Sequence, residues 1–148
     1  MSCNRGWALL LCALYCAAPA AQAEDAGAEI PIRLTVAHVS TGEGGVDPRA
    51  RKLREMLERQ HIRYPSIRVL QERVVKLRVG ELGRFPLPQA GQLNIRLMHL
   101  DASGLLMALD VEGGMKTDVR LRDDHMMVLD AGPLGDGKRV IAIQPDYE

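Results

Sequence analysis

Leu93-Asn94-Ile95-Arg96-Leu97-Met98-His99-Leu100-Asp101-Ala102-Ser103-Gly104-Leu105-Leu106-Met107-Ala108-Leu109-Asp110-Val111 is the stretch that decides the fold. Leu93, Ile95 and Leu97 alternate with Asn94 and Arg96, and Leu105, Met107, Leu109 and Val111 take up the same spacing after Asp101-Ala102-Ser103-Gly104. A period of two gives each run one face to bury. The four residues between them are turn chemistry, because an Asp carboxylate can take nearby backbone N–H groups and Gly tolerates positive φ. Two such runs joined so closely predict an antiparallel hairpin.

Toward the carboxy terminus, Glu112-Gly113-Gly114 ends the second run, and Val119 and Leu121 alternate with Arg120 and Arg122 until Asp123-Asp124 turns the chain. Met126 to Leu129 and Val140 to Ile143 are short apolar runs, expected to close a hairpin through a long loop at Gly132-Pro133-Leu134-Gly135-Asp136-Gly137. Toward the amino terminus, Phe85-Pro86-Leu87-Pro88 suits a sheet edge, since Pro cannot donate to a ladder. Ile67, Val69, Val75, Leu77 and Val79 share an odd-numbered register, which predicts one long half-buried strand, or two halves joined at a bulge around Gln71 to Arg73. Asp47-Pro48 marks a helix start, and Leu53, Met56 and Leu57 give that helix, running to about His61, one apolar face. Its other face is rich in Arg and Lys, with Glu55 and Arg59 as an i,i+4 pair. Ile30, Ile32, Leu34 and Val36 form the first strand, and the glycine-bearing Ser40 to Gly45 is a connector without the spacing of a phosphate-binding loop. The fold class is therefore α+β: about seven mainly antiparallel strands, as a sandwich or half-barrel, with one N-terminal helix packed on it.

The first residues read as a targeting signal. Arg5 supplies a positive region, Trp7 to Ala18 an apolar run too short for a permanent span, and Ala21-Gln22-Ala23 a small-x-small cleavage pattern. Residues 1–23 are thus an expected signal peptide cut between Ala23 and Glu24, residues 24–29 a flexible acidic leader, and 30–148 a single domain. Cys3, Cys12 and Cys16 all precede the cut, so the processed chain has no thiol for a disulfide, a metal or catalysis. The expected location is periplasmic or secreted, with no integral membrane span after cleavage.

Lys and Arg number 19 and Asp and Glu 19, so no global charge draws the chain to nucleic acid. Few aromatics remain for stacking on sugars or bases. Ser40, Ser66 and Ser103 lack a nucleophile-elbow setting, and Asp101, Asp110, Asp123 and Asp124 sit at turns, so no enzyme is expected and no catalytic residue is assigned. No cofactor is expected either. His99, His125, Met126 and Met127 form an alternative soft-ligand set for copper, on the chemistry of imidazole and thioether donors.

Thr117 to Asp123, Met126 to Leu129, Gly132-Pro133 and Val140 to Ile143 resemble the ending of small exported bacterial envelope proteins of unknown function. Residues 117–143 also resemble a β-hairpin stretch of secretin pore subunits, with Asp124 where that turn has Gly and Asp130-Ala131 where it has paired glycines. The resemblance implies an assembly element of the envelope and no catalytic residue. The expected activity is protein contact with another envelope protein, possible at an open edge near Phe85 to Pro88 or at the carboxy-terminal hairpin.

Overall fold

β1 (Ile30–Ser40) is the strand around which the molecule is built. A computed structural model describes residues 27–147; the expected signal peptide and the start of the leader lie outside the described residues. Ile30, Ile32, Leu34 and Val36 point to one side of β1 and Ala37 and Val39 to the other, so both faces are buried. β1 lies between β3 (Ser66–Leu77) and β9 (Gly137–Pro145), antiparallel to each. With β2 (Gly45–Val46), parallel to the start of β3, and β8 (Met127–Leu134), they make a five-stranded sheet ordered β2-β3-β1-β9-β8. A second sheet, ordered β4-β5-β6-β7, contains β4 (Leu82–Pro86), β5 (Gln92–Asp101), β6 (Gly104–Val111) and β7 (Lys116–Leu121).

The main core lies between the two sheets. Ile32, Leu34, Ile141 and Ile143 meet Leu93, Ile95, Leu97, Leu105 and Met107 there. A smaller core lies on the opposite face of the five-stranded sheet, beneath α1 (Arg51–Arg59). A nine-residue helix is marginal alone in water, so docking must hold it. Leu53 and Leu57 do so against Ile67, Val69, Val140 and Ala142, and burying each Leu stabilises by roughly 2 kcal/mol.

The start signal at Asp47-Pro48 takes the form of a short 3-10 turn, Pro48–Ala50, leading into α1. Asp47 accepts the Arg49 N–H at 2.9 Å and its guanidinium at 2.8 Å. Those bonds hold the Asp47 carboxyl down at about 2. The helix ends at Arg59, short of His61, which takes a positive φ of 61° beyond it.

Two expectations need correction. The described residues form nine strands, not about seven, because β2 and β4 are strands in their own right. The expected long loop at residues 132–137 is mostly strand: β8 runs on to Leu134 through a register shift between Asp130 and Pro133, and only Gly135-Asp136 turns the chain. The reason is local. Asp130 accepts the Gly132 N–H at 2.8 Å and the Lys138 ammonium at 3.2 Å, which lets a Gly-Pro step stay in a bulged ladder. The Gly132 N–H holds the Asp130 carboxyl below its usual range, helped by Lys138.

The hairpin that decided the fold forms as expected, β5 to β6 through Ala102-Ser103. Asp101 accepts the Ser103 N–H and the Arg120 guanidinium, each at 2.8 Å. Ser103, with Arg120 beside it, brings that carboxyl to about 2. Gly104, at φ 126°, sits where a Cβ would come 2.6 Å from the Leu121 carbonyl, so β6 and β7 approach this closely only with glycine there.

Candidate functional site

Among the described residues, β3 carries a long stretch of open backbone along one flank. β2 pairs only with Ser66 and Ile67. Asp47 N–H donates to the Ile67 carbonyl at 2.8 Å, and the Arg49 guanidinium reaches the Val69 carbonyl at 3.5 Å. Beyond Val69 no strand lies beside β3 on that flank among the described residues. Alternate residues there turn N–H and C=O groups toward solvent, the arrangement to which another strand can add.

A bulge prepares this flank. Val36 pairs with Gln71 and Ala37 with Val69, which leaves Leu70 as the extra residue. Its consequence is a change of face: Ile67 and Val69 pack under α1, whereas Val75 and Leu77, of the same odd parity, face the other sheet. Glu72, Val74 and Lys76 then project from the outer face past the end of the helix-covered core, all exposed. Val74 is 57% exposed, the most among the large apolar residues described. On the inner face, the Arg73 guanidinium lies over the Phe85 ring at 5.6 Å, and its Nη1 is buried without a hydrogen-bond partner among the described residues.

The other edges among the described residues are shorter or interrupted. β4 borders the second sheet as the prolines near Phe85 suggest, but spans five residues and contains Gly83 and Pro86. β8, the outer strand of the carboxy-terminal hairpin, carries the Asp130 bulge and Pro133. β7 borders the second sheet with Lys116, Asp118 and Arg120 in alternation.

Two clefts are prominent, and one of them is walled by the helix. One, about 480 Å³, lies between α1 and the β7–β8 turn, with Met56, His125 and Met126 in its wall and Gln144 at its floor. Gln144 donates to the Asp124 carbonyl at 3.1 Å and to its carboxylate, while its own Oε1 is buried and unpaired among the described residues. The other, about 510 Å³, is more polar and lies between the end of β1 and the β8–β9 turn. His38 is buried there, with Nε2 3.0 Å from the Leu134 carbonyl and 3.2 Å from the Asp136 carboxylate. Both neighbours accept, so Nε2 carries the proton. Ser40 and Ser66 line the same cleft, and no hydrogen bond joins either hydroxyl to His38 among the described residues. The cleft thus offers polar groups without a coupled nucleophile and base.

The four soft-ligand candidates do not share one place. His125 and Met126 line the first cleft, and His125 Nδ1 is 2.8 Å from the Asp123 carbonyl. Met127 packs into the core between the sheets, the opposite face from Met126. His99 is on β5 in the other sheet, 3.4 Å from Asp101. Met127 opens β8 and Met126 lies just before it, so the two residues face opposite sides of the sheet.

No helix among the described residues is long and apolar enough to cross a membrane. The chain matches no protein-family model, no curated protein and no solved structure. Within the stretch 117–143, β7 belongs to one sheet, and β8 and β9 form a hairpin in the other.

Proposed function

We propose that this chain is a non-enzymatic protein-contact domain, exported from the cytosol and accessory to a secretion or envelope assembly, that engages its partner by strand addition along the open flank of β3. The carrying observation is the length of that flank, which continues past Val69 to Leu77 with no neighbouring strand among the described residues. Backbone hydrogen bonds supply affinity in such pairing, and the alternating side chains supply selectivity. The charged residues Glu72, Arg73 and Lys76 suit this use, because they discourage indiscriminate edge pairing while leaving the backbone accessible. Export rests on the amino-terminal signal pattern and the thiol-free remainder.

A photo-activated cross-linker placed at Val74 in living cells tests the proposal, with Met98, exposed on the other sheet, as the control position. Products specific to position 74 are expected. Absence of any product at 74 above the Met98 background overturns the reading.

A carrier of soft metal is the second reading, favoured only by Met56, His125 and Met126 sharing one cleft wall. Copper(I) titration decides it: binding that survives His125→Ala, or no binding at all, removes that cleft as the site.

A further inference from the structure

The open flank of β3 carries its own complement. Along its outer face the order is Glu72, Val74, Lys76, with the apolar residue between opposite charges. In antiparallel pairing, directly opposed residues share a face. Two copies laid flank to flank about a two-fold axis through Val74 therefore set Val74 on Val74 and Glu72 opposite Lys76 twice. On the inner face the same register sets Arg73 opposite Val75 and Gln71 opposite Leu77. Arg33 lies 3.6 Å from Glu72, so each Glu72 would sit between a cation of its own copy and one of the other. Lys76 has no acidic partner among the described residues. Other centres fit less well: an axis through Arg73 sets that guanidinium against itself, and one through Val75 sets Val74 against Lys76.

We propose that the occupant of this flank is a second copy of the chain, forming a two-fold dimer in which the five-stranded sheet continues across the Val74 pair. The inference rests on the reading of the flank as a contact surface. The interface is isologous, so each substitution acts twice.

The test uses the chain as cells process it, purified and sedimented at about 100 µM, because an edge contact of this size forms a weak dimer. A dimer is expected. Glu72→Lys or Lys76→Glu alone replaces two opposite-charge contacts with two like-charge ones and should raise the dissociation constant about tenfold or more. The double variant Glu72→Lys with Lys76→Glu restores the pairs and should return the constant to within a few-fold of the original. Thermal melts check that each variant remains folded, as exposed positions allow. A monomer at that concentration, or a double variant no tighter than the single ones, overturns the proposal. If position 74 then still cross-links to a different envelope protein, the contact reading stands and self-pairing alone falls; no cross-link at all removes both.

Discussion

The two halves of β3 have the same alternating composition and opposite fates. From Ser66 to Val69 the strand is bordered by β2 and covered by α1, with Ile67 and Val69 buried beneath the helix. From Gln71 to Leu77 it has no neighbouring strand on one flank among the described residues, buries its residues only toward the other sheet, and leaves Val74 in solvent. One unpaired residue, Leu70, separates them. The difference teaches that a bulge can divide a single strand into a structural segment and a segment available for contact, with no change in hydrophobic period.

Substitution at the two ends of that contrast should separate them most widely. Ile67→Ala in the covered half should cost about 3–4 kcal/mol in urea unfolding, from lost burial plus the cavity left under α1. A loss below about 1 kcal/mol would mean that the helix does not hold the first half in place. In the open half, Arg73→Met should raise stability by about 1 kcal/mol, because relieving a buried unpaired nitrogen outweighs the lost ring contact. A loss of similar size would show the contact with Phe85 to dominate.

Acid should act on the covered half through the helix start. The Asp47 carboxyl is depressed from 3.8 to about 2 in the folded protein, so its contribution is complete above the unfolded value and is lost as pH falls through about 2. Asp101 behaves alike in the other sheet. A drop of a few degrees in Tm is expected between pH 4 and pH 2, smaller in the variant Asp47→Asn with Asp101→Asn. An equal drop in that variant would place the acid sensitivity elsewhere. The smallest effect belongs to Val74→Ala, which should shift stability by less than about 0.5 kcal/mol, and a cost above about 1 kcal/mol would show the residue to be packed rather than open.

Much of this architecture is legible in the sequence, and the gaps have physical causes. The β5–β6 hairpin can be read from alternation and from Asp101 and Gly104 because every signal there is local. Asp47-Pro48 is legible for the same reason. β2 is too short to leave a pattern, and the second half of β8 is hidden because Gly132-Pro133 is loop chemistry until the Asp130 side chain compensates it. The odd-numbered register of β3 is present, yet its faces exchange at Leu70, and parity alone does not report that. The edge at β4 follows from the prolines beside Phe85. The longer flank of β3 does not, because alternation is the same in a strand with one neighbour as in a strand with two. Met126 and Met127 show the same limit at a single step: proximity along the chain favoured a shared site, and the entry into β8 between them sends them to opposite sides of the sheet.

β1 and β9, the first and last strands described, are hydrogen-bonded side by side at the centre of their sheet. Ile32, Leu34 and Val36 find partners on β3 early, at Val75, Arg73 and Gln71, but their partners on β9 come only at the far end of the described residues. Such distant pairing makes folding slow, since loop closure must precede any reward from contact. Until β9 is made, one flank of β1 lies open at what becomes the middle of the sheet, and that interval is when a chaperone would have greatest hold on the chain.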